Sequence, residues 1–139
     1  MPDATRGVPV SGGEAAISLF LADQVATVPA SATLLEAAEE LVADEVGLLV
    51  VGSQDDVRGV ISERDVVRAV GGGRDPAQTP VMDVAHTGLV WCPVTATVRE
   101  AALLMMTEYV RHVLVEDDEQ LVGIVSARDL LGAFVSEPT

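Results

Sequence analysis

Residues 59–65 read Gly-Val-Ile-Ser-Glu-Arg-Asp, and residues 123–129 read Gly-Ile-Val-Ser-Ala-Arg-Asp. Upstream, residues 33–38 read Thr-Leu-Leu-Glu-Ala-Ala, and residues 97–102 read Thr-Val-Arg-Glu-Ala-Ala. In both pairs the residue numbers differ by 64, and Val51 falls on Val115 at the same spacing. Two segments in constant register therefore cover most of the chain. A repeat of this size is one supersecondary unit that cannot bury its own apolar face, so its copies are expected to pack on each other. Two copies imply a single domain with internal pseudo-two-fold symmetry, and a cleft between similar halves is a common ligand site.

The local signals outside these stretches fill in the unit. Thr33-Leu-Leu-Glu36 is a capping box, followed by Leu34, Ala37, Ala38, Leu41 and Val42 at helical spacing. Leu48–Val51 reads as a strand, residues 53–56 as a turn, and Val57–Ile61 as a second strand. Ser62 can cap a further helix with Asp65 in its first turn. From Thr97 the pattern replays: a helix to about Thr107, strands at His112–Glu116 and Leu121–Val125, and a last helix capped by Ser126. Val25–Val28 reads as a brief extended segment ahead of the first helix, so each unit is β-α-β-β-α and the fold is α+β. Residues 1–13 read as a flexible lead, 14–73 as the first repeat, 74–80 as a linker and 81–139 as the second repeat. Glu14–Leu21 is expected to form a short helix.

Of the 139 residues, 49% are apolar but only 3% aromatic, so the core must be built from Val, Leu, Ala and Ile. That length suffices for one domain with a real core. No apolar run approaches the ~18–20 residues of a membrane span, and the N-terminal stretch lacks the pattern of a signal peptide. The single cysteine, Cys92, excludes an internal disulfide and fits a reducing cytoplasm. The net charge is −14 and all eight cations are arginine. Such a chain repels nucleic acid and anionic lipid, which need clustered positive charge. It can still hold a small phosphorylated ligand through one or two placed arginines.

The Gly-x-x-Ser-x-Arg-Asp stretch carries the chemistry. Glycine lets another backbone come close at the strand. Serine sits at a helix N-terminus, where free amides and the helix dipole favour an anion. The aspartate three residues on can accept two hydrogen bonds from a vicinal diol such as a ribose, and the arginine beside it can neutralise a phosphate. The plain alternative is a Ser-x-x-Asp capping box after a strand. Two copies in register favour the ligand reading.

On these residues the chain resembles the CBS domain in its tandem form, the Bateman module. The matching features are the Thr-x-x-Glu-Ala-Ala helix start, the strand ending in Val-Val or Leu-Val, the acidic turn and the Gly-x-x-Ser-x-Arg-Asp stretch, over residues 20–135. The resemblance implies two βαββα units, candidate clefts between their sheets, and adenosine ligands: AMP, ADP, ATP or S-adenosylmethionine. It implies that Asp65 and Asp129 hold a ribose, with Ser62 and Ser126 near the ribose or phosphate and Arg64 and Arg128 beside them. It also implies that each cleft is closed by the segment leading into the opposite repeat, Ala22–Val25 for Asp129 and Val84–Thr87 for Asp65.

The two sites are not equal in sequence. The family often has a basic residue before the hydrophobic strand; the second repeat has Arg111-His112 there, and the first has Gly47-Leu48. His86, in the closing segment, is the candidate to supply the missing cation, or is simply a solvated or capping residue. His112 is either a phosphate partner or a core-edge histidine satisfied by backbone. Met105 and Met106 occupy core-like helical positions, and Cys92 reads as a buried inert thiol. Metal-ligand spacing and catalytic motifs are missing from the sequence, so neither a metal nor a required cofactor is expected and the chain reads as a non-enzyme. The expectation is a stand-alone regulatory module that binds an adenine nucleotide and signals to a protein partner in trans. The helix residues Val66, Val67, Leu130 and Leu131 are expected to be exposed and to pair in a homodimer. The alternatives are an interaction module with empty clefts and an S-adenosylmethionine sensor.

Overall fold

The computed structural model describes residues 12–21 and 25–135. Each repeat folds as β-α-β-β-α. The first has strand β1 (Thr27–Val28), helix α1 (Leu34–Asp44), the hairpin β2 (Leu48–Ser53) and β3 (Asp56–Ser62), and helix α2 (Glu63–Gly71). The second has β4 (Trp91–Pro93), α3 (Val98–Glu108), β5 (His112–Asp117), β6 (Gln120–Ser126) and α4 (Ala127–Val135). Each sheet has three strands, ordered β1-β2-β3 and β4-β5-β6. The first pairing in each is parallel and the second antiparallel, as a helical crossover followed by a tight hairpin requires. The register repeats with the sequence: Thr27 pairs with Val50 and Val50 with Val60, while Trp91 pairs with Leu114 and Leu114 with Ile124.

Both capping boxes form. The Glu36 amide donates to Thr33 Oγ1 at 3.1 Å and the Thr33 amide to Glu36 Oε1 at 2.9 Å. Thr97 and Glu100 exchange the same two bonds at 2.8 and 3.2 Å. The buried faces follow the helical period: Leu34, Ala37 and Leu41 on α1, and Val98, Ala101 and Met105 on α3. They close over Leu49, Val51 and Ile61 in one core and over Val113, Val115 and Val125 in the other. Each fully buried aliphatic side chain contributes roughly 1.5–3 kcal/mol, so many small residues stand in for the missing aromatics.

By contacts the chain divides into two compact units. One comprises the described residues of Gln24–Leu89, the other those of Met1–Asp23 together with Val90–Thr139. In the first, the segment after α2 folds back on α1: the Leu34 amide donates to Thr79 O at 2.8 Å, the Val81 amide to Ala32 O at 2.9 Å, and Val81 is fully buried. In the second, the N-terminal segment does the same to α3. The Val98 amide donates to Ala15 O at 2.8 Å, the Ile17 amide to Ala96 O at 3.1 Å, and Ile17 is fully buried. Ile17 and Val81 thus occupy matching places.

The structure changes several expectations. Glu14–Leu21 is not one helix but two 3-10 turns, Gly12–Glu14 and Ile17–Phe20, split where Ala16 bridges to Thr97. The Ile17 amide, which a continuous helix would use internally, is spent on Ala96. Met105 is buried but Met106 is 72% exposed, because neighbours on a helix point about 100° apart and only one can face the core. For the same reason Leu130 is buried beside an exposed Leu131, and Val66 packs partly against the core beside an exposed Val67. Of the expected lead, residues 1–11 lie outside the described residues.

Candidate functional site

Around Asp65 the sequence signals converge within one unit. Ser62 ends β3 in extended conformation and caps α2. The Asp65 amide donates to Ser62 Oγ at 3.2 Å, while Asp65 Oδ2 accepts from the Ser62 amide and hydroxyl, both at 2.8 Å. The other carboxylate oxygen, Oδ1, lies 2.8 Å from His86 Nε2. An ionised carboxylate only accepts, so this ring nitrogen carries the hydrogen. Burial raises the Asp65 carboxyl, but the hydrogen bonds from the Ser62 amide, His86 and the Ser62 hydroxyl outweigh it and hold the group below its ordinary range. The aspartate side chain is 10% exposed and the imidazole 65% exposed.

His86 reaches this carboxylate because its backbone forms a bridge to β3. The His86 amide donates to Val60 O at 2.8 Å and the Val60 amide to His86 O at 3.0 Å. The glycine of the motif permits the approach: a Cβ on Gly59 would stand 2.9 Å from His86 O and 3.3 Å from the Ala85 Cβ. The closing segment expected for Asp65, Val84–Thr87, is therefore the one found there.

Around Asp129 the same local geometry recurs with different surroundings. The Asp129 amide donates to Ser126 Oγ at 3.0 Å, and the Ser126 amide to Asp129 Oδ2 at 3.1 Å. The Asp129 side chain is exposed, and among the described residues Oδ2 alone is engaged. His112 opposes Ser126 across the β5–β6 pair and is half-buried. Burial pushes its imidazole below the ordinary value of 6.5, Asp129 pulls it back up, and Arg111 pushes it down. The Gly123 position is covered by Leu21, whose Cδ2 would lie 2.8 Å from an added Cβ. Of the segment expected to close this site, Ala22–Val25, the first three residues lie outside the described residues.

The remaining site candidates sit on the rims. Arg64, Arg111 and Arg128 are exposed, and among the described residues none of them is held in an ion pair. Arg111 anchors the start of α4 through its backbone, its carbonyl accepting from the Ala127 amide at 2.8 Å; Gly47 does the same for Glu63 at 3.0 Å. One contributor escaped the sequence reading. A Cβ on Gly47 would stand 3.1 Å from Glu63 Oε1. Where the second repeat has Arg111 and Ala127, the first has a glycine facing a carboxylate. The signal was visible as Glu63 standing opposite Ala127 in the aligned copies.

A protein-family model described as the CBS domain matches residues 17–72 and again residues 81–136. The chain belongs to the CBS domain family. It is a tandem CBS module, a regulatory module, with the mixed α+β fold expected. The CBS domain-containing protein YhcV of Bacillus subtilis is 37% identical over 108 residues, covering 77% of this chain and 76% of YhcV. Among solved structures, the CBS domain protein PAE2072 from Pyrobaculum aerophilum, complexed with AMP, is 32% identical with a TM-score of 0.72, covering 86% of this chain and 97% of that one. A CBS-CP12 protein from bloom-forming cyanobacteria, a hexamer, is 26% identical with a TM-score of 0.75, covering 88% of this chain and 73% of that one. Among the described residues of this CBS module no helix is long and apolar enough to cross a membrane, and no group of three His, Cys, Asp or Glu side chains could hold a metal. Cys92 is buried, and its thiol is pushed up by burial and by the charges of Glu100 and Glu116.

Proposed function

We propose that this CBS module binds a phosphorylated adenosine of the AMP, ADP or ATP class, chiefly at Ser126, Arg128 and Asp129, and passes the bound state to a protein partner in trans. The observation that carries the reading is the Ser126–Asp129 pair at the start of α4. Among the described residues it leaves one carboxylate oxygen for a ribose diol and a helix N-terminus for a phosphate. Arg111 adds a positive charge at the start of β5, next to His112, against a net charge of −14. The AMP complex of a relative 32% identical to this chain supports the ligand class. Ser62, Arg64, Asp65 and His86 form the counterpart in the first repeat, which we rank as the weaker site. The role is binding rather than catalysis.

A thermal-shift and calorimetric panel over adenosine, AMP, ADP, ATP and S-adenosylmethionine tests the proposal. AMP binding more tightly than adenosine is the expected result. Equal binding of adenosine removes the phosphate assignment, and much tighter S-adenosylmethionine binding makes the module a sensor of that ligand instead.

Self-association is the second part of the proposal. Val67 on α2 is 71% exposed and Leu131 on α4 is 63% exposed, apolar surface that a second copy would cover as a homodimer. Light scattering showing a stable monomer at micromolar concentration refutes the dimer, and a larger species would align the chain with its hexameric relative instead.

A further inference from the structure

We infer that His86 is a built-in occupant of the first-repeat site, competing with a ribose for Asp65 rather than assisting its binding. The inference rests on the adenosine reading above and concerns the regulation of that same chemistry. A diol needs carboxylate oxygens as acceptors. At Asp65 both are already engaged, Oδ2 by two bonds from Ser62 and Oδ1 by His86 at 2.8 Å, so a diol would have to share or displace a partner. The imidazole is delivered by a backbone bridge to Val60, seated over Gly59, so the His86 backbone beside Asp65 is set by strand pairing. The aspartate is nearly enclosed while the ring is largely open to solvent. A ring held on one side only can swing away without disturbing the core.

The surroundings point the same way. Glu63 faces Gly47, where the second repeat carries Arg111, and Leu48 stands in place of His112. With fewer cations to draw a phosphate in, the imidazole has less to compete against. The contact therefore sorts two copies of one motif into a site left open among the described residues and a self-closed one, and the self-closed site fills only at higher ligand concentration.

Calorimetric titration of AMP into three proteins tests this: the wild type, Asp129→Ala, and Asp129→Ala combined with His86→Ala. Binding by the wild type establishes the adenosine reading; its absence sinks that reading independently of His86. With Asp129 removed, the added His86→Ala change is expected to tighten AMP binding about two- to fivefold, the range for releasing a partly exposed side-chain contact. Unchanged or weaker binding, or no measurable binding in both variants, overturns the inference; weaker binding would make His86 a phosphate contact. Because the ring is exposed, His86→Ala is expected to fold, and its melting temperature beside that of Asp129→Ala checks this.

Discussion

The Asp65 and Asp129 sites are built from the same seven-residue motif and share the same helix-capping bonds, yet their outer environments are opposed. Asp65 is enclosed, engaged on both carboxylate oxygens and faced by an internal imidazole, with Glu63 nearby. Asp129 is exposed, singly engaged among the described residues, and accompanied by Arg111 and His112. Duplication preserved what the fold needs, the cap and the close-approach glycine. Divergence fell on the positions that decide what an anion meets. The same capping geometry therefore sits in two different surroundings, set by groups one turn or one strand away.

The comparison can be broken first at its foundation, the matching roles of Ile17 and Val81. Ile17→Ala removes a fully buried side chain from the core of the second unit, and is expected to cost about 2–5 kcal/mol. Chemical denaturation measures this. A silent Ile17→Ala would mean that the N-terminal segment is not the structural counterpart of the segment around Val81.

The sites themselves are compared by Asp129→Ala and Asp65→Ala. Loss of a charge-assisted bond to a ribose costs on the order of 1.5–3 kcal/mol, about ten- to a hundredfold in affinity. Asp129→Ala is expected to show that loss for AMP, and Asp65→Ala a smaller one. An equal or larger loss from Asp65→Ala reverses the ranking.

Making one site resemble the other sharpens the comparison. Gly47→Arg combined with Glu63→Ala gives the first repeat the cation of the second and removes the carboxylate an added Cβ would meet. This pair, in the Asp129→Ala background, should raise the preference for AMP over adenosine by several-fold, since each charged hydrogen bond is worth roughly 1.5–3 kcal/mol buried and less when exposed. No gain in that ratio would show that the missing cation is not what separates the two copies.

The smallest expected effect is a pH dependence at the second site. His112 is held below 6.5 by burial, so in the ligand-free protein the unfolded chain takes up its proton first and stability falls as pH drops below that value. A bound phosphate favours the charged ring, so binding should take up a proton and the AMP-over-adenosine ratio should rise about two- to threefold between roughly pH 7.5 and 5.5. His112→Leu, which copies Leu48, should flatten this profile. A profile that survives the substitution assigns the titration to another group.

Much of this was legible in the sequence, for reasons that can be located. The capping boxes at Thr33 and Thr97, the hairpins and the Ser62 and Ser126 caps are set by contacts within a few residues, so local spacing reports them. The link between His86 and Asp65 was not readable as a hydrogen bond, because it depends on the register of a bridge between His86 and Val60, residues distant in the chain. Glu14–Leu21 looked helical because the sequence does not show that the Ile17 amide bonds to Ala96. Leu130 and Leu131, like Met105 and Met106, are both apolar, and only the packing decides which of each pair faces inward.

The chain has two histidines, and one stands in each site. Their imidazole signals in an NMR titration with AMP therefore report the two sites separately in one experiment on the unaltered protein. The account predicts that the His112 signals move first and near saturation before those of His86 begin to shift. Movement of His86 ahead of His112, or AMP binding with His112 unmoved, would contradict it.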